Sequence, residues 1–225
     1  MSVVSDTWLL LGKDMRLELR TREITVTSGF FAVLVVVLAS LSFFADDQVT
    51  RKLAPGVLWI AIEFAGVLAI SRSWARERDA QVLRALLLTP MPRAALYLAK
   101  VLGVLLYLTA LEVVLVAVVG VLFRFDATEH AGALTLLLVL GTAGFAIPGT
   151  LFGAMTVRTR AGDFMLSIVL FTLASPALLL GVHGTRQILM GGTLSDVGGH
   201  LQLLGALDAV FLLAALWLFE PLVAD

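Results

Sequence analysis

Only 15% of the 225 residues are charged, 60% are hydrophobic, and the mean hydropathy is +0.99. A soluble domain holds about 25% charged and about 45–50% apolar residues, so the composition excludes an ordinary water-soluble fold and favours lipid as solvent. The net charge of −1 argues against a nucleic-acid partner, and the lack of cysteine excludes disulfides, thiolate metal sites and cysteine catalysis.

In chain order, the first feature is short. Trp8, Leu11, Met15 and Leu19 recur at helical spacing, with Lys13, Arg16 and Arg20 on another flank. This predicts an amphipathic helix within residues 1–27, lying in the membrane surface with its cations near acidic headgroups. Trp8–Leu11 is too short for the apolar region of a signal peptide. No small-residue cleavage site clearly follows the next apolar run, so that run is expected to be kept as a span.

Six stretches reach or approach the roughly 17–25 residues that cross a bilayer. They are Ser28–Phe44, Ala54–Ser71, Ala95–Leu122, Ala131–Val157, Phe164–Val182 and Leu201–Phe219. Short connections hold most of the charge, and neither a repeat nor a low-complexity linker divides the chain. It reads as a single all-α membrane domain over residues 1–225.

Twelve of the 16 lysines and arginines fall in the N-terminal segment and in the loops after the second and fourth spans. Arg51, Lys52, Arg124 and Arg186 fall on the opposite side. The positive-inside rule therefore places both termini in the cytoplasm.

The segment Arg72–Thr89, between the second and third spans, carries most of that bias. At 100° per residue Glu77, Gln81 and Arg84 share one face, and Ala75, Val82, Leu83 and Leu86 share the other, before Pro90 and Pro92 end the helix. Such a helix could rest on lipid, be gripped by a soluble partner, or be a solvated loop; periodicity alone leaves these open.

Several kinds of chemistry are missing. There is no G-x-x-x-x-G-K-[ST], so ATP is not bound through a P-loop, and neither H-E-x-x-H nor G-x-S-x-G occurs. His130, His183 and His200 lie far apart in or beside predicted outside loops. They read as surface residues, since nothing specifies a haem or metal pocket. Trp8, Trp59, Trp74 and Trp217 are scattered, at least two of them at interfacial positions.

Three acids fall inside spans: Glu63, Glu112 and Asp208. A charge at that depth costs about 2.5–3.5 kcal/mol, so each is expected to be protonated or turned toward a partner or water. They could form a gate, a proton relay or a coupling contact, or serve as polar staples worth about 0.6 kcal/mol. Pro148 and Pro176 fall within the fourth and fifth spans and should bend them.

Together these segments resemble a known family. Pro55-Gly-Val-Leu-Trp-Ile-Ala-Ile-Glu63-Phe-Ala-Gly66, Arg72-Ser-Trp-Ala-Arg-Glu77, Leu86-Leu-Leu-Thr-Pro90 and Tyr97-Leu-Ala-Lys100 look like haem exporter protein B (CcmB). That family is the membrane subunit of the ABC transporter used in bacterial cytochrome c maturation. Lys13-Asp-Met-Arg-Leu-Glu-Leu-Arg20, Gly149-Thr-Leu-Phe-Gly153 and Thr156-Val-Arg-Thr-Arg-Ala161 fit it too, and the likeness thins over 184–199.

The resemblance implies an ABC-2, type V exporter-like permease in the bacterial inner membrane, with an N-terminal elbow helix and a cytoplasmic coupling helix in the region 72–94. It implies a homodimer on two copies of a separate ATPase, together with haem-handling membrane subunits and a haem chaperone. Arg72, Arg76, Glu77, Arg78, Gln81 and Arg84 become the residues expected to couple to the ATPase. No cofactor is expected on this chain; haem would be transported or held by a partner. Other readings are an ABC-2 permease for a lipid, glycan or drug, a proton-linked carrier using the three acids, and a scaffold without a transport path.

Overall fold

The computed structural model describes residues 2–42, 47–79, 91–124, 130–156 and 162–224. Among them are seven helices and no strand: α1 (Val3–Thr21), α2 (Glu23–Ser42), α3 (Asp47–Asp79), α4 (Arg93–Phe123), α5 (Ala131–Thr156), α6 (Gly162–Leu189) and α7 (Gly198–Ala224). All but α1 are long and apolar enough to cross a membrane. This is an all-α, multi-pass membrane protein.

Ser2 starts α1, its hydroxyl accepting the Ser5 N–H at 3.3 Å. Arg22 ends it in the left-handed region (φ 53°), with its N–H on the Glu18 carbonyl at 2.7 Å. That one residue turns the chain into α2, so α1 can lie along α4 instead of extending the first span. Leu10 and Leu11 are buried and Met15 packs behind them. Trp8 and Leu19 of the expected apolar stripe point outward instead, 63% and 76% exposed. The helix thus has apolar side chains on two flanks, one toward the bundle and one outward.

α3 is longer than the second predicted span at both ends. It runs from Asp47 through Pro55 to Asp79. Thus Arg72–Asp79 continues the spanning helix and is not a separate surface helix, because no glycine or proline separates Ser71 from Asp79. Residues 80–90 lie outside the described structure.

α3 and α5 form the centre of the bundle, while α2 and α7 turn most of their surface outward. Close approach at the centre depends on glycine. The Trp59 ring of α3 lies against Gly141 of α5 and Gly181 of α6, where a Cβ at either position would collide with it. Its Nε1–H donates to Thr185 Oγ1 at 2.9 Å, so the buried indole leaves no donor unpaired. Pro148 and Pro176 both lie inside continuous helices; the Ile147 carbonyl beside Pro148 accepts the Tyr97 hydroxyl at 2.8 Å.

Candidate functional site

A lysine about two turns inside a span needs an anion, and Lys100 has two. Its Nζ lies 2.8 Å from Glu77 Oε1 of α3 and 2.9 Å from Asp14 Oδ2 of α1. Lys13 closes the group, 3.1 Å from Asp14 Oδ1 and 3.3 Å from Glu77 Oε1. The Trp74 ring stands 5.7 Å from the Lys100 ammonium. Lys100 and Glu77 are each 4% exposed, whereas Lys13 is 42% exposed, so a buried ion pair is capped by a cation that still meets solvent where α1, α3 and α4 converge. The second Glu77 oxygen, Oε2, is buried without a hydrogen-bond partner.

One helical turn away is a second group. Arg76 Nη2 donates to Glu18 Oε2 at 2.6 Å, and its Nε donates to Glu23 Oε2 at 3.3 Å. Glu18 also accepts the Thr25 N–H at 2.8 Å and the Thr25 hydroxyl at 2.7 Å. Arg72 reaches Glu23 Oε1 only at 3.6 Å, with both side chains well exposed.

The electrostatics follow from these pairings. Burial opposes ionisation of Asp14, but the ammonium groups of Lys100 and Lys13 outweigh it and hold the carboxyl below the usual aspartate value. Burial opposes Glu18 as well; the Thr25 hydroxyl and N–H, then Arg76 and the Ile24 N–H, overcome it and lower that carboxyl too. For Lys13, burial works against the cation, yet Asp14 and Glu77 together raise its value.

The three acids within the spans sit differently. Glu63 is 1% exposed on α3, and its Oε1 has no hydrogen-bond partner. Asp208 is 8% exposed on α7, facing Gly144 of α5, and neither of its oxygens has a partner. Glu112 is 3% exposed on α4 and receives the hydroxyl of Thr142 from α5. Each acid comes from a different helix.

A family model described as the CcmB protein matches residues 5–220. The chain belongs to the CcmB family. It is 31% identical to the Heme exporter protein B of Pseudomonas aeruginosa, over 91% of this chain and 90% of that one. Identity to the Escherichia coli K12 protein of the same name is 30%, over 90% of each chain. Identity to the Haemophilus influenzae one is 27%, over 88% of each.

Within this CcmB chain the six residues expected to couple to an ATPase divide into three groups. Arg72 is exposed at the end of α3, while Arg76 and Glu77 turn inward to the α1 ion pairs. Arg78 belongs to α3, but its side chain is outside the description, and Gln81 and Arg84 fall among the undescribed residues 80–90. Lys13, Asp14, Glu18, Glu23 and Lys100 complete the junction and are not recognisable as a group from local pattern. One signal was present: Lys100 falls inside the predicted span Ala95–Leu122 and therefore requires a counter-ion. His183 is exposed on α6, its Nδ1 2.8 Å from the Leu179 carbonyl.

Proposed function

We propose that this CcmB chain is the permease subunit of an ABC exporter serving cytochrome c biogenesis, through haem export or release of a haem-loaded chaperone. It acts as one permease domain, with residues 1–27 as the elbow and 72–94 as the coupling region. ATP is hydrolysed by a separate ATPase present in two copies beneath a pair of permeases. Haem-handling membrane subunits and a haem chaperone complete the assembly, and haem is cargo or is held by those partners. The twelve clustered cations favour both termini, and the segment 80–90, on the cytoplasmic side of the bacterial inner membrane.

One observation carries the mechanical part. The α1 residues Lys13 and Asp14 bind Glu77 and Lys100, which flank the segment joining α3 to α4. A push on that segment therefore meets three helices tied by charge, and displacement passes into α3 and α4 together. These two helices carry Glu63 and Glu112.

Gentle solubilisation and purification from native membranes tests the proposal. An ATPase and haem-binding membrane subunits should co-purify, and Arg84→Glu should lower ATPase recovery about tenfold while membrane insertion is kept. Recovery without an ATPase sinks the proposal, and undiminished recovery with Arg84→Glu sinks the coupling role. An ABC-2 permease for another cargo would bring an ATPase but no haem-binding subunit. The unpartnered oxygens of Glu63 and Asp208 favour one other reading, a proton-linked carrier. Transport driven by a pH gradient with no ATPase present would establish it.

A further inference from the structure

A cavity of about 40 Å³ lies where α1, α2, α3 and α4 meet. Asp14 and Glu18 line it from α1, Ser73, Arg76 and Glu77 from α3, and Lys100 from α4. It therefore borders both the Lys100 ion pairs and the Arg76–Glu18 pair. Glu77 accepts both ammonium groups at Oε1, while Oε2, on a side chain only 4% exposed, accepts none. A buried carboxylate oxygen without a donor is costly, and none of the described side chains supplies one.

Size and charge decide what fits. One water needs about 10–15 Å³, so the space suits about three. It is far below the roughly 300–1,000 Å³ of sites enclosing small-molecule ligands. Three carboxylates line the cavity with two cations, and Lys13, bound to Asp14 and Glu77, supplies a third cation. The set is balanced: an added cation would leave it positive, and an added anion would face three carboxylates. A neutral molecule that both donates and accepts meets neither penalty. Ser28 gives its one hydroxyl proton to the Ile24 carbonyl at 2.6 Å, so Tyr107, 2.7 Å from Ser28 Oγ, is the donor between the two. Tyr107 also lines the cavity, and its oxygen keeps acceptor capacity. Lys100 has three N–H donors for its two carboxylates. Entry is short, because Lys13 is 42% exposed and touches both Asp14 and Glu77.

We infer that this cavity is a hydration site holding about three ordered waters, one of which donates to Glu77 Oε2, and that the waters join the two ion-pair groups into one network. The site is built from this chain and does not depend on the cargo or on an ATPase. A link of water can change partners without stranding a carboxylate, so the junction can yield without coming apart.

Cryo-electron microscopy of the protein purified from native membranes, at a resolution that shows ordered water, is the direct test. Two or more separate peaks should occupy the cavity, one of them about 2.5–3.0 Å from Glu77 Oε2. An empty cavity, a single peak ringed by oxygens as a metal ion is, or a phosphate between Arg76 and Lys100 overturns the inference. Ser73 gives a second measurement. Valine and threonine have the same shape, so Ser73→Val and Ser73→Thr crowd the cavity equally and differ in one hydroxyl. In lipid nanodiscs the unfolding midpoint of Ser73→Thr should lie about 2–4 °C above that of Ser73→Val, because a second methyl displaces the water that Glu77 Oε2 needs. Equal midpoints, or a more stable Ser73→Val, mean a dry cavity and overturn the inference.

Discussion

Two regions of this bundle bury charge in opposite ways. Where α1 meets α3 and α4, Lys100 has carboxylates at 2.8 and 2.9 Å, and Arg76 has one at 2.6 Å. In the middle of the helices Glu63 has an oxygen without a hydrogen-bond partner and Asp208 has two. Paired charges hold a geometry, because removing one partner strands the other out of water. An oxygen without a partner holds nothing by hydrogen bonding, so replacing these acids tests function more directly than stability.

The largest effect should come from breaking the paired side. Lys100→Met leaves Glu77 and Asp14 with only the half-exposed Lys13 between them and should cost about 3–5 kcal/mol, read by thermal unfolding in lipid nanodiscs. Adding Glu77→Met and Asp14→Leu should recover much of that loss. A triple variant as unstable as Lys100→Met would show that packing, and not charge, holds the junction.

Next comes the glycine contact at Trp59, on the far side of Glu63 from the junction. Gly141→Val drives a branched side chain into the Trp59 ring and should cost about 1–3 kcal/mol, with Trp59→Leu relieving part of it. No recovery in the double variant would mean that the neighbouring backbone, not the indole, sets the spacing.

The unpartnered side should respond less. Glu63→Gln and Asp208→Asn remove no hydrogen bond made by the unpartnered oxygens and should shift stability by less than about 1 kcal/mol. A shift as large as that of Lys100→Met would erase the contrast between the two regions.

Acid sharpens the comparison from outside the spans. Asp14 and Glu18 are held below their usual values, so their contributions are present above the unfolded carboxylate range near pH 4. Those contributions fade as pH falls through the lower folded values. Lys13 is raised, so its contribution is complete below pH 10.5 and is lost as pH climbs through its higher folded value. Unfolding midpoints should therefore drop at both extremes, and Asp14→Asn should blunt the acid limb and also weaken the alkaline one, because Asp14 helps to raise Lys13. The smallest effect is expected for Arg72→Gln, whose exposed 3.6 Å pair is worth about 0–1 kcal/mol in the same assay.

The spans were legible in the sequence because a run of about twenty apolar residues has few other homes. Their ends were less so. Nothing between Ser71 and Asp79 breaks a helix, so the charged end of α3 looked like a new element when it is a continuation of the span. The junction was half visible. Arg76 and Glu77 stood out in their segment, but their partners lie up to 64 residues away, and periodicity reports only neighbours within a turn or two. Trp59 looked unremarkable because its role depends on glycines contributed by two other helices.

The Asp14–Lys100 pair also has a consequence in time. At about 5–20 residues per second, the ribosome reaches Lys100 roughly 4–17 s after Asp14. Throughout that interval α1 has no α4 to bind, and its outward Trp8 and Leu19 give it a provisional berth on the bilayer. The N-terminal helix thus waits at the membrane surface and docks when the third span arrives, before α5, α6 and α7 complete the bundle.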